Sequence, residues 1–252
     1  MAAFAERYRL MRSRWNRDWW SITFGGPVGN LLTALIADVR WITPNGITWV
    51  SFLCKLVAVP LLVWGYDVAV IVMFQLHTIL DCMDGTLARY RKRPSVMGAF
   101  LDKVTDMIGL LAIMSAFGWR AAIESGDARV VLAAVLIAGA ILLRSYIFWV
   151  VAHFEREHAV AGAKPTAGDQ RKDFSSMTLG ERLKMYVKWQ WTVIEFAEAD
   201  MYFWLSLGLV LGELRWTVYL LAIAVGIWTV VIIGRRYWTI HQIDVRKRTS
   251  SY

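Results

Sequence analysis

Cysteine, histidine and proline are all scarce in this 252-residue chain, which holds two Cys, four His and five Pro. The two cysteines, Cys54 and Cys82, lie in apolar runs, which argues against a disulfide framework and suits small buried hydrophobes. His153, His158 and His241 show no metal-type spacing, and His77 sits alone in an apolar stretch, so a zinc centre lacks its usual ligands. Charge is thin as well: 19% of residues are Asp, Glu, Lys or Arg, against about 25% in soluble domains. Apolar residues fill the gap at 57%, with 14 Trp among them. Disordered and collagen-like classes are excluded. What remains is an all-α polytopic membrane protein of one domain.

A spanning helix needs about 20 mostly apolar residues. Six stretches meet or approach that length: 46–66, 68–88, 98–118, 129–152, 196–212 and 216–234. The second and third are broken by acidic residues. Short links at Gly65–Val70 and Gly212–Thr217 predict tight antiparallel pairs. Nearly all cations fall in the N-terminal arm, the second link, the link 153–190 and the tail, while Arg120, Arg129 and Arg215 lie opposite. The positive-inside rule then puts both termini in the cytoplasm. The net charge of +8 follows from this topology and from anionic lipid, so no nucleic-acid partner is expected.

The division expected is an N-terminal basic arm over 1–40, a six-span domain over 41–240 and a basic cytoplasmic tail over 241–252. The arm has no uninterrupted apolar core and is not expected to be a signal peptide. Trp15, Trp19 and Trp20 among Arg14, Arg17 and Asp18 predict an interfacial amphipathic helix. In the link 153–190, the middle Ala161–Ser176 reads as loop and the end Leu179–Gln190 as amphipathic.

Four carboxylates fall at the cytoplasmic ends of spans two and three: Asp81, Asp84, Asp102 and Asp106. One such group at mid-membrane costs roughly 2.5–3.5 kcal/mol, so a function is the first expectation. Asp81 and Asp84 share one helix face at i, i+3, and Asp102 and Asp106 share another at i, i+4. Gly85, Ala88 and Gly98 would allow close approach. Two antiparallel helices can thus aim four carboxylates into one cavity. An all-oxygen set suits Mg²⁺, Mn²⁺ or Ca²⁺, and four carboxylates suit two ions clamping a phosphoryl transfer. Arg89 and the run Arg91-Lys92-Arg93 suit a phosphate-rich ligand.

The run Asp81-x-x-Asp84-Gly85-x-x-Ala88-Arg89, followed at Gly98, Asp102 and Asp106, resembles the signature D-x-x-D-G-x-x-A-R-x8-G-x3-D-x3-D of the CDP-alcohol phosphotransferase family. Every fixed position is matched. Thr43-Pro44-Asn45-Gly46-Ile47-Thr48 is similar to the segment that opens the first span in that family. The resemblance is specific over about 40–110, and Pro27–Ile36 is loosely similar to a membrane-surface helix ahead of the family core. It implies a six-helix enzyme, often a homodimer, that uses two Mg²⁺ or Mn²⁺ ions. Such an enzyme moves a substituted phosphoryl group from a CDP-linked alcohol, most often CDP-diacylglycerol, to a second alcohol and releases CMP, which places it in phospholipid biosynthesis. By the same resemblance Asp81, Asp84 and Asp102 bind metal, and Asp106 is the base and a further ligand. Asn45, Thr48, Gly85, Ala88, Arg89, Ser95 and Gly98 line the CDP-alcohol. Arg144, Arg156 and Arg182 are candidates for the phosphate of a phosphorylated polyol acceptor.

Other readings stay open at this level. The donor could be a soluble CDP-polyol, with a lipid or polyol acceptor. Arg144 could instead bridge to Glu195, Glu198 or Asp200. Buried acids also mark cation-coupled transporters, although the acids here concentrate at one face and no inverted repeat is evident. A non-catalytic scaffold is the third class. The site is expected at the cytoplasmic face of the cell's inner or plasma membrane, among membrane lipids.

Overall fold

The computed structural model of the protein describes residues 4–11, 18–157 and 178–250. These residues form helices and contain no strand. In chain order they are α1 (Phe4–Met11), α2 (Gly26–Ile36), α3 (Pro44–Val63), α4 (Asp67–Tyr90), α5 (Val96–Ser125), α6 (Arg129–Glu157), α7 (Leu179–Gln190), α8 (Glu198–Leu211) and α9 (Leu214–Ser250). A wide π-type turn, Ser21–Gly25, leads into α2.

Local chemistry sets the starts and stops. Thr43 is extended, and its hydroxyl accepts from Gly46 N at 3.0 Å, with Pro44 in the first turn of α3. Ser95 caps α5 in the same way, accepting from Gly98 N at 2.9 Å. A capping box between Thr178 and Glu181 opens α7. Gly126 and Gly212 close α5 and α8 in the left-handed region, both at φ 68°, where only glycine pays no steric penalty.

The core is one apolar cluster drawn from α3 to α6, α8 and α9, including Leu62, Phe74, Leu110, Phe117, Ile137, Leu205 and Val218. α3 packs on α4 and α5, α5 on α6, α6 on α9, and α4 on α8. The outer surface stays apolar, with Val72, Leu132, Leu136, Leu220, Ile223 and Val230 exposed. So large an apolar surface needs a non-aqueous surrounding. Four helices, α3, α4, α6 and Leu214–Val245 of α9, are long and apolar enough to cross a bilayer.

The other two expected spans differ from the sequence reading. α5 covers Val96–Ser125 and is longer than expected, but Asp102, Lys103, Asp106, Arg120 and Glu124 interrupt its apolar run. α8 has 14 residues, about 21 Å of helix, against roughly 30 Å of hydrocarbon. It is shorter than 196–212 because Phe196 turns left-handed at φ 46° and the helix starts only at Glu198. α9 in turn runs well past residue 234, to Ser250.

The described part of the N-terminal segment is packed on the bundle. α2 and its preceding turn lie on α4. A Cβ on Gly25 would stand 2.8 Å from Thr78 Cγ2, and one on Gly29 would stand 3.1 Å from Cys82 Cβ. Two glycines one turn apart thus let the backbones meet. Trp20 donates from Nε1 to Gln75 Oε1 at 2.8 Å, and its ring packs on Phe203. Trp15, Arg12, Arg14, Arg17 and the loop Ala161–Ser176 lie outside the described residues.

Candidate active site

The site forms where the start of α3, the end of α4 and the start of α5 meet. One carboxylate oxygen from each of Asp81, Asp102 and Asp106 lies within 4.8 Å of the others. The i, i+4 spacing on α5 and the packing of both α4 and α5 against α3 produce this convergence. Exposure falls along α5 from Ser95, which is exposed, through the half-buried Gly98 and Asp102 to the buried Asp106. The site therefore has a mouth and a floor.

Asp84, the fourth acid, is not in the three-carboxylate group. Its Oδ2 accepts from Thr48 Oγ1 at 2.5 Å, and its Oδ1 accepts from Gly85 N. Thr48 thus ties it to α3, and Gly85 holds its other oxygen on α4 itself. Asp106 carries two contacts that sequence reasoning missed. Lys55 Nζ donates to its Oδ1 at 2.9 Å, and Lys103 Nζ donates to its Oδ2 at 3.1 Å. Lys103 also bridges to Asp102 at 3.1 Å. The two lysines differ in freedom: the side chain of Lys55 is 1% exposed, that of Lys103 is 49% exposed.

Lys55 belongs to a polar stripe on α3. Thr48, Ser51 and Lys55, at spacings of three and four, are all buried. Thr48 meets Asp84, Ser51 Oγ lies 2.7 Å from His77 Nδ1, and Lys55 meets Asp106. One helix face thus holds acids or their neighbours on both α4 and α5. The signal was present in the sequence as a lone lysine inside an apolar span, two turns from Thr48. Gly109 makes room for it, since a Cβ there would stand 2.5 Å from Lys55 Cδ.

The remaining expected residues are placed as follows. Asn45 and Ser95 flank Gly98, where a Cβ would stand 2.9 Å from Asn45 Oδ1 and 2.8 Å from Ser95 Oγ. Arg89 is exposed next to the half-buried Ala88, donates to Thr86 Oγ1 at 3.2 Å, and crosses over Gly85, where a Cβ would stand 2.9 Å from its Nη1. Arg91 is engaged within the fold. It donates to the carbonyls of Ala37, Val39 and Ile42, pinning the α2–α3 loop to the end of α4.

Arg144 is likewise engaged. Nη1 donates to Glu195 O at 2.8 Å and Nη2 to Phe196 O at 2.5 Å. A guanidinium thereby caps the carbonyls of a short 3₁₀ turn and its left-handed exit. Its hydrogen bonds go to main chain and not to the side chains of Glu195, Glu198 or Asp200. Arg156 is exposed near the end of α6. Arg182 lies on α7, and its side chain is outside what is described.

The CDP-alcohol phosphatidyltransferase family model matches residues 41–228, the stretch that builds this site. The chain belongs to the CDP-alcohol phosphatidyltransferase family. Similarity to individual curated proteins is local. The chain is 38% identical over 73 residues to the inner membrane protein YnjF of Escherichia coli, covering 29% of this chain and 35% of that protein. It is 37% identical over 68 residues to the bifunctional IPC transferase and DIPP synthase of Thermococcus kodakarensis, covering 27% of this chain and 16% of that protein. The matched stretches are thus a minor part of each relative. Family membership and the apolar helices make this an integral membrane protein of a transferase family acting on CDP-alcohols.

The carboxylate group suits a divalent ion of that chemistry. Its donors are all oxygens, three of them within 4.8 Å of one another, as a hard cation requires. The cation that bridges Asp102 and Asp106 is the half-exposed Lys103, while the buried Lys55 holds Asp106 alone.

Proposed function

We propose that this protein transfers a phosphatidyl group from CDP-diacylglycerol to an alcohol and releases CMP, at the cytoplasmic face of a six-span bundle. The observation that carries the reading is the convergence of Asp81, Asp102 and Asp106 from two helices on one point inside an apolar fold. Asp81, Asp84, Asp102 and Asp106 would hold one or two Mg²⁺ or Mn²⁺ ions, which supply charge neutralisation of the diphosphate. Asn45, Thr48, Gly85, Ala88, Arg89, Ser95 and Gly98 would line the nucleotide side. The exposed Arg89 and Ser95 stand at the mouth, where a water-soluble nucleotide enters.

Asp106 would act as base. Lys55 fixes its Oδ1, which leaves Oδ2 to take a proton once Lys103 moves. The acceptor oxygen bonds to phosphorus as its proton passes to Asp106. The phosphorus–oxygen bond to the CMP phosphate breaks, and CMP departs with the electron pair. A carboxylate base within hydrogen-bond reach is worth about 10²–10⁴ in rate. The short α8 would complete the sixth crossing together with the turn before it. The N-terminal arm would lie at the membrane surface, and the protein would work as a homodimer.

The test is CMP release by purified protein in lipid vesicles containing CDP-diacylglycerol, with an alcohol panel as acceptor. Release that requires Mg²⁺ or Mn²⁺ and stops with EDTA is expected. Full activity in chelator would overturn the metal reading. Activity with a soluble CDP-polyol and not with CDP-diacylglycerol would overturn the donor.

A further inference from the structure

Three buried polar atoms on α8 have no hydrogen-bond partner among the described residues: Glu198 Oε1, Tyr202 Oη and Trp204 Nε1. Glu198 and Tyr202 sit one turn apart, so they share a face. Tyr202 is 0% exposed. Leaving such groups unpaired costs free energy, and each calls for an explanation.

Their position supplies one. The Tyr202 ring packs edge-on against His77 at 4.6 Å and Phe74 at 5.3 Å. Gln75, near that contact on α4, donates to Ser206, which lies further along α8. The two helices therefore run antiparallel. One turn beyond His77, α4 reaches Asp81. One turn back from Tyr202, α8 reaches Glu198. Glu198 is accordingly level with the carboxylate group and within electrostatic range of Asp106, Lys55 and Lys103. Tyr202 lies within the same range of Glu198, Asp106 and Asp81. Meanwhile Arg144, the one arginine inside α6 near this level, spends both terminal nitrogens on carbonyls.

We propose that Glu198 and Tyr202 form the subsite for the acceptor alcohol, and that they select an acceptor whose second polar group is a hydrogen-bond donor, a hydroxyl or an ammonium, and not a phosphate. The inference rests on the transferase reading above. A free carboxylate oxygen beside other carboxylates accepts from O–H or N⁺–H. It disfavours a phosphate, because the cations described nearest it are already engaged, Lys55 and Lys103 by Asp106 and Arg144 by main-chain carbonyls. Tyr202 Oη offers a donor and an acceptor to the same ligand.

The test uses the full-length protein in vesicles, wild type against Glu198→Gln and Tyr202→Phe, with two readouts. One is equilibrium binding of glycerol and inositol (hydroxyl arm), ethanolamine and serine (ammonium arm), and glycerol phosphate and inositol phosphate. The other is CMP release from CDP-diacylglycerol with each acceptor. A member of the first two arms should bind and react best. Glu198→Gln should raise its Kd and KM about tenfold or more with donor KM unchanged, while thermal stability holds or rises because an unpaired buried carboxylate has been removed. Tyr202→Phe should act in the same direction more weakly. Which of the first two arms wins tells hydroxyl from ammonium. Tightest binding of a phosphorylated polyol, or unchanged acceptor binding in Glu198→Gln, would overturn the proposal. Glu198-dependent binding without any CMP release would leave the subsite standing and overturn the transferase reading instead.

Discussion

Asp106 and Lys55 form the most enclosed ion pair described, 2.9 Å apart, with 8% and 1% of their side chains exposed. Removing one member of such a pair strands the other charge, at a cost of about 3–5 kcal/mol. Lys55→Met should therefore lower the melting temperature sharply and reduce kcat as well. Pairing it with Asp106→Asn should restore most of the stability and none of the activity. A double variant as unstable as Lys55→Met would show that the ammonium acts through something other than Asp106. Asp106→Asn alone should keep CDP-donor binding and lose about 10²–10⁴ in rate, whereas Asp84→Asn should lose donor binding, which isotherms on the two variants can separate. The acids were legible in the sequence because a carboxylate in an apolar run stands out and their spacing is regular. Lys55 was visible but not interpretable. Its partner lies 51 residues away on another helix, and a helix period shows which residues share a face without showing what that face meets. Arg144 illustrates the same limit: a buried guanidinium needs acceptors, and main-chain carbonyls at a left-handed residue are acceptors that side-chain patterns do not reveal.

Among the elements, the helices that hold the site touch their neighbours through glycines, and that contact sets how far they can part. A Cβ on Gly118 of α5 would stand 2.5 Å from Ala134 Cβ of α6, and one on Gly208 of α8 would stand 2.4 Å from Thr217 Oγ1 of α9. Gly118→Ala should cost about 1–3 kcal/mol, the usual range for overpacking. Combining it with Ala134→Gly should recover most of that loss, as read by thermal unfolding. Failure of the exchange to recover would locate the strain in the Val131 backbone, the next nearest neighbour. Helix existence was legible because the apolar runs are long and the caps explicit at Thr43 and Ser95. Helix length was less so. The apolar run over 196–212 continues through Phe196, yet the backbone there leaves the helical region and is held by Arg144. Apolar character does not register a turn stabilised by a distant guanidinium.

At the scale of the whole molecule, the direction of the chain through the membrane follows from which ends of the helices meet. The site gathers the starts of α3 and α5 and the end of α4, and α8 runs antiparallel to α4. The turns Trp64–Tyr66, Gly126–Ala128 and Gly212–Glu213 therefore lie at the other end. That far end is tied by exposed or half-exposed polar contacts. Arg120 bonds Asp67 and Glu124, and Asp127 accepts from Arg129 at 2.9 Å and from Tyr219 at 2.8 Å. Arg129 and Tyr219 hold the Asp127 carboxyl well below the usual carboxylate range. By the positive-inside rule the cation bias would put the site end in the cytoplasm. Four helices are long and apolar enough to cross alone. In the six-span arrangement proposed above α5 and α8 would cross as well, α5 with its acids turned inward and α8 short. Single cysteines, introduced at Glu124 and Glu213 in a protein lacking Cys54 and Cys82, should both react with an impermeant thiol reagent from outside the cell. One at Ser95 should react only after permeabilisation. Labelling at Glu124 but not Glu213 from outside would mean that α8 does not cross. The C-terminal end of α9 would then lie opposite the carboxylates, and the count of six would fall.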